Sequence, residues 1–407
     1  MSDTRQAAAR AMRRLDELGT ISDDPGCLTR LYLTPAHKAA TRLVAAWMEG
    51  AGLAAHVDAA GSVVGRYAGT DPAAKVLIIG SHIDTVRNAG KYDGPLGVIA
   101  GIEAVAALHA RGVRYPFAIE IVAFGDEEGV RFPVTLTGSR ALASTLDPAT
   151  LDSKDRDGIT IREALANFGC PPGIADVART GKALGYLEVH IEQGPVLEAQ
   201  NLPVGTVTAI AGASRAIVTV MGMAGHAGTV PMKLRRDAAA AAAEMVLAVE
   251  RQGLTTEDLV ATVGRIEILP GAPNVVAGKA VFSVDMRSPH DAVRHAAFDR
   301  LRADCAAIAA RRQVMLDFAR TYDQPAVTCD PHLAALWDSA AQAQGFRPFR
   351  LPSGAGHDGL AMTALCPVSM LFVRCRGGTS HNPAESVETD DVAVAIAVLQ
   401  DMIARLA

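Results

Sequence analysis

Near-continuous apolar runs that alternate with helical patterns constrain this chain more than any other feature. "KVLIIGSH" and "PFAIEIVAFGDEEG" read as strands, and "GPLGVIAGIEAVAALHARG" between them reads as a helix. Strands with no polar face must be covered on both sides, the pattern of an α/β fold with a largely parallel sheet flanked by helices. Such sheets place ligands beyond the carboxyl ends of their strands. Upstream, "TRQAAARAMRRLDELG" and "TPAHKAATRLVAAWMEGAG" read as helices, the second with Thr34 and Pro35 in cap and first-turn places, and "HVDAAGSVVGRYAG" reads as a hairpin.

From residue 212 the pattern changes. "SRAIVTVMGMAG", "LVATVGRIEI", "KAVFSVDMRSP" and "VMLDFARTYDQPA" are strand-like, and two amphipathic helices separate them in the order strand, helix, strand, strand, helix, strand. That is the split βαβ layout. The expectation is an inserted domain over 212–327, with 1–211 and 328–407 forming the two parts of a first domain. At 407 residues the chain is long enough for both.

Composition excludes several classes. A net charge of -5 from 39 basic and 44 acidic residues argues against a nucleic-acid or anionic-membrane binder, and 4% aromatic residues leave little for base stacking. The amino terminus has no apolar h-region, and no apolar tract is long enough to span a membrane, so a cytoplasmic, soluble protein is expected. Six cysteines without a close CxxC pair fit reduced thiols and are given no role.

Polar residues sit where strands end, in "GSHIDTV", "KYDGPLG", "FGDEEGVRF", "EVHIEQGP" and "GGTSHNPAES". Unpaired, they would be costly there. Together they supply the imidazoles and carboxylates that suit zinc, manganese or cobalt. Two divalent ions need a bridging carboxylate and terminal ligands on each side. Asp93 as the bridge, His82 and His190 on one ion, and Glu128 and His381 on the other satisfy that count. Glu127 points away from Glu128 in an extended segment and is left free to act as general base. Asp84 has the spacing to hydrogen-bond the His82 imidazole.

These segments, with "GMAGHAGTVPMKLRRDA", "PNVV", "DMRSP" and "SGAGHDG", resemble the hydantoinase/carbamoylase group of two-metal amidases within the aminoacylase and carboxypeptidase superfamily. The resemblance implies a metallopeptidase-like two-domain fold whose inserted, ferredoxin-like α+β domain is a lid and dimerisation domain, hence a homodimer. It implies His226 as an oxyanion-stabilising residue reaching the partner's site, and Asn274 and Arg287 on the substrate carboxylate. Gln193, Gly356 and His357 would complete the pocket, with Arg215 a weaker candidate. The implied reaction is metal-dependent hydrolysis of a carbon–nitrogen bond in a linear amide, the ureido group of a small carboxylate. Allantoate is the first candidate, and an N-carbamoyl-L-amino acid or ureidopropionate the alternative. A non-catalytic binding protein on the same fold is the distant alternative.

Overall fold

The computed structural model describes residues 2–179 and 183–407. The chain divides into two compact units: Met1–Thr208 with Cys329–Leu351 and Ala355–Ala407, and Ala209–Thr328 with Pro352–Gly354.

The first unit opens with helices α1 (Ser2–Gly19) and α2 (Pro35–Gly50), then strands β1 (Ala54–Val57), β2 (Val63–Tyr67) and β3 (Val76–His82). Helix α3 (Pro95–Ala110) and strands β4 (Ala118–Phe124), β5 (Ala183–Ile191) and β6 (Val204–Ile210) follow. The Thr34 side chain accepts from His37 N and Pro35 occupies the first turn of α2, the cap its sequence predicts.

The second unit contributes β7 (Gly212–Met221), α4 (Ala238–Thr255), β8 (Val260–Thr262), β9 (Ile266–Leu269), β10 (Lys279–Ser288), α5 (Asp291–Arg312) and β11 (Met315–Gln324). The first unit then resumes with α6 (Pro331–Ala343), β12 (Val368–Val373) and α7 (Thr389–Arg405).

In the first unit the strands run β1–β2–β4–β3–β5–β12–β6 within a mixed sheet. The centre, β4–β3–β5–β12, is parallel, whereas β1, β2 and β6 join antiparallel. Every residue of β3, β4 and β12 is buried, because side chains pack on both faces. One face meets α1, α3 and α7 in the largest core cluster; the other holds Ile78, Val122, Tyr186 and Met362. Helix α3 is buried nearly all round, so it has no polar stripe.

The second unit is built differently. Its antiparallel sheet runs β9–β10–β7–β11, with β8 also on β10. Strand β10 alternates buried and half-buried residues along its length. Ala280, Phe282, Val284 and Met286 share a core with residues of α4 and α5, as expected when one sheet face is covered and the other is not. The stretch read as one strand, "LVATVGRIEI", is two. Between them Arg265 N donates to the Ser283 hydroxyl and Ser283 N donates to Arg265 O, which interrupts the ladder. Among the described residues, no helix is long and apolar enough to cross a membrane.

Candidate metal centre

Strands β4, β3, β5 and β12 are adjacent and parallel, so their carboxyl ends lie on one edge. His82 is the last residue of β3, and Glu127 and Glu128 follow β4 within four residues. His190 is next to last in β5, and His381 lies in the segment between β12 and α7. Asp93 precedes Gly94, whose φ of 84° puts it in the region that favours glycine. A Cβ at Gly94 would stand 2.5 Å from the His82 ring, so glycine is required for the chain to bring Asp93 over that imidazole.

Asp93 is 5% exposed, and its two oxygens face different neighbours. Oδ1 lies 3.6 Å from His82 Nε2 and 3.2 Å from His190 Nε2. Oδ2 lies 3.3 Å from His381 Nε2, which is in turn 3.6 Å from Glu128 Oε2. Among the described residues, three groups could each hold a cation: His82, Asp93 and His190; Asp93, Glu128 and His381; and Glu188, His190 and His357, which shares His190 with the first. Asp93 belongs to the first two.

Electrostatics fit divalent cations here. Burial pushes the Glu128 carboxyl up to about 7, with Asp93 adding to the rise. Burial likewise holds Glu127 well above the usual carboxylate range; His82 opposes this, and Glu128 and Asp358 reinforce it. Asp93 is also desolvated by burial, but His190, His381 and His82 hold it well below that range. So many buried acids at one strand edge need positive charge. His190 Nε2 is buried and has no hydrogen-bond partner among the described residues, and its Nδ1 is turned toward the Ile191 carbonyl 2.9 Å away. A mixed imidazole and carboxylate set of this kind suits zinc, manganese or cobalt. The site is binuclear: two adjacent His/Asp/Glu clusters joined through one aspartate.

Residues 78–405 match Peptidase family M20/M25/M40. The chain belongs to this family, as a hydantoinase/carbamoylase-type amidase. The N-carbamoyl-L-amino acid amidohydrolase of Geobacillus stearothermophilus is 42% identical over 401 residues, covering 98% of each chain. The allantoate deiminase of Arabidopsis thaliana is 41% identical over 437 residues, covering 98% of this chain and 83% of its own. An amidase of the hydantoinase/carbamoylase family from Burkholderia multivorans superposes with a TM-score of 0.93 at 35% identity, covering 98% of this chain and 97% of that one.

The amidase holds its other site residues in distinct ways. Glu127 is in none of the metal-holding groups, and its Oε2 is 3.9 Å from His82 Nε2. The His82 Nδ1 partner is the Asp84 backbone carbonyl, at 3.0 Å, whereas the Asp84 carboxylate is 3.7 Å from that nitrogen. The carboxylate instead accepts from Glu127 N and Glu128 N, at 3.2 Å each. Asp84 thus bonds the imidazole through its backbone, as the spacing suggests, and the acid pair through its side chain.

Gln193 donates to Asp93 Oδ2 at 2.7 Å, so its amide is engaged on the shared carboxylate. Gly356 faces Glu127, whose Oε1 would be 4.0 Å from a Cβ added there. His357 is 1% exposed and packs edge-on against His190, ring centroids 4.5 Å apart.

In the second unit, His226 and Asn274 are brought together. His226 pairs with Val275 in a two-strand ladder, and Ala227 N donates to Asn274 O. Arg287 donates through Nε and Nη2 to Asp285 and through Nη1 to Gly354 O, and Arg215 shares Asp285 from the neighbouring strand.

Sequence reasoning passed over Glu188, Arg30, Ser380 and Glu385. Glu188 is fully buried, accepting from Ser81 Oγ at 3.0 Å and Tyr186 OH at 3.1 Å, two residues before His190 and on the same strand face. An acid inside the apolar run "ALGYLEVHI" was the available signal. Arg30, also wholly buried, donates to the carbonyls of Leu18, Ile21 and Ile83 and so fixes the chain just past His82.

Proposed function

We propose that this chain hydrolyses the ureido group of a small carboxylate substrate, with allantoate, yielding ureidoglycine, ammonia and carbon dioxide, as the first candidate. The observation that carries the reading is Glu127, a half-buried carboxylate beside two cation-holding groups and a member of neither. His82, Asp93 and His190 would hold one cation, and Asp93, Glu128 and His381 the other. Two divalent cations supply an acidified water and polarise a carbonyl. Glu127 takes the proton of the attacking water and passes it to the departing nitrogen, with its raised proton affinity suited to both roles. Carbon–nitrogen cleavage releases ammonia, and the remaining carbamate breaks down to carbon dioxide and the amine.

The chemistry of the second unit supports the assignments made there. His226 Nδ1 accepts from Gly228 N at 3.1 Å, so the neutral ring carries its proton on Nε2, a donor for the developing oxyanion. In the dimer this donor would come from His226 of the partner subunit. Arg287 commits three of its five N–H groups to Asp285 and Gly354, which fixes the guanidinium and leaves two for a substrate carboxylate, with Asn274 as the second proposed carboxylate partner. The order of the long strands, with a helix after the first and third, supports a ferredoxin-like lid domain. Exposed Leu247, Leu254, Val260 and Ile266 on that unit support its role in a homodimer. Expression in the cytoplasm accords with the unpaired cysteines.

Relatives named for N-carbamoyl-L-amino acids and for allantoate stand at nearly equal identity, 42% and 41%, so the carbamoyl amino acid is the second reading. Ammonia release from metal-reconstituted protein, measured across allantoate, N-carbamoyl-L-methionine and ureidopropionate, decides between them. Glu127→Gln should lower kcat by about 10²–10⁴-fold while two cations remain bound. Full activity in that variant, or loss of both cations, would reverse the assignment.

A further inference from the structure

The segment after β12 does more than deliver His381. Asn382 caps a tight turn: its Oδ1 accepts from Ala384 N at 2.9 Å, and its carbonyl accepts from Glu385 N at 3.0 Å. The turn sends Glu385 back beneath the site, where it is 4% exposed. There Glu385 Oε1 accepts from Tyr92 N at 2.8 Å and from Asp93 N at 3.1 Å. Its Oε2 lies 3.1 Å from the Ser380 hydroxyl, which is 2.5 Å from Asp93 Oδ2. One carboxylate therefore grips the backbone of Asp93 directly and its side chain through a serine. Gly90 makes room for this, since a Cβ there would collide with the Glu385 side chain.

We infer that Glu385 and Ser380 are positioning residues that aim the shared Asp93 carboxylate, and that they govern the Glu128/His381 cation site more than the His82/His190 site. The asymmetry follows from the one Asp93 oxygen that Ser380 touches, with Glu385 behind that serine. Ser380 contacts Oδ2, the oxygen facing His381, and precedes His381 in the chain. Oδ1 faces His82 and His190, whose other nitrogens are fixed by carbonyls of their own strand ends. Without Glu385, the Tyr92 and Asp93 amides lose their acceptor, and Oδ2 is held only by the Gln193 amide and by a Ser380 hydroxyl that has lost its other partner. Groups that orient metal ligands typically affect affinity about 10–100-fold.

This inference rests on the two-cation reading. Apo protein is titrated with cobalt(II), following heat and visible absorption, for wild type, Glu385→Ala, Glu385→Gln and Ser380→Ala. Wild type should take two equivalents. Glu385→Ala should bind the second equivalent about 10–100-fold more weakly, with the first within about threefold and an altered cobalt spectrum only for the second. Glu385→Gln keeps an oxygen for the two amides and should recover most of that loss. Ser380→Ala should weaken only the second equivalent. Fewer than two equivalents on wild type would overturn the two-cation reading and this inference with it. If wild type binds two, three results each overturn this inference alone: unchanged affinities in Glu385→Ala and Ser380→Ala, equal weakening of both sites, or a Glu385→Gln that behaves like Glu385→Ala.

Discussion

Glycine 97 on α3 offers a direct test of how the fold holds the metal centre. A methyl group at Gly97 would overlap the Val189 carbonyl oxygen and approach Ser81 Cβ at 3.1 Å. Carbon–oxygen contacts settle near 3.3–3.6 Å, so α3 must withdraw from β5 by more than about 1 Å. Strand backbone cannot yield as a side-chain tip can. Helix α3 begins two residues after Asp93, and Val189 precedes His190; the withdrawal therefore opens the 3.2 Å separation between those two ligands. Overpacking costs about 1–3 kcal/mol, against a gain of about 1 kcal/mol from replacing glycine by alanine in a helix. Gly101 is the control, one turn along the same helix. A methyl there meets only Ile121 Cδ1 at 3.0 Å and Ile79 Cγ2 at 3.2 Å, which are side-chain ends. Urea unfolding of the apo proteins should find Gly101→Ala within about 1 kcal/mol of wild type and Gly97→Ala less stable than Gly101→Ala. Chelator competition should show weakened cation binding in Gly97→Ala alone. Equal stability and equal affinity for the two variants would refute the argument that backbone contact at Gly97 sets the ligand spacing.

Other expectations follow from the same structure. Asp84→Asn leaves one acceptor oxygen for two amides and turns an NH2 toward the other, so kcat should fall about 10–100-fold with cation content retained; unchanged turnover would remove Asp84 from the positioning of Glu127. Burial, with the Arg30 and Arg131 charges, pushes His37 down to about 3. An unfolded histidine titrates near 6.5, so below that pH the unfolded state gains a proton that the native state refuses. Stability should then fall by about 2 kcal/mol from pH 6.5 to 5 in chelated protein, and His37→Asn, measured by urea unfolding, should lack that slope. Saturating cation at about 100 times its dissociation constant should stabilise the fold by about 2.7 kcal/mol per site, an increment that Glu127→Gln retains and Asp93→Asn loses in thermal melts.

Much of the site was legible because its parts are local. His82, His190 and the Glu127–Glu128 pair each sit at the end of an apolar run, and in a parallel sheet those ends converge. Gly94 after Asp93 marks a turn from residue type alone. The support beneath the site was not legible in this way. Glu385 meets the amides of Tyr92 and Asp93 across more than 290 residues of chain, and no spacing rule encodes such a pairing. His357 stands in a glycine-rich segment, and only packing brings its ring against His190. Asp84 lies two residues from His82, but its carboxylate reaches across to the segment after β4.

The sequence by itself determined which segments are strands and helices and which residue types stand at their ends, because periodicity and turn chemistry act over a few residues. Tertiary structure alone decided which oxygen of Asp93 faces which histidine, which carboxylate braces its backbone and which acid stays out of both clusters. Those outcomes depend on β5 lying between β3 and β12 and on how close α3 comes to β5, quantities fixed by packing between segments remote in the chain.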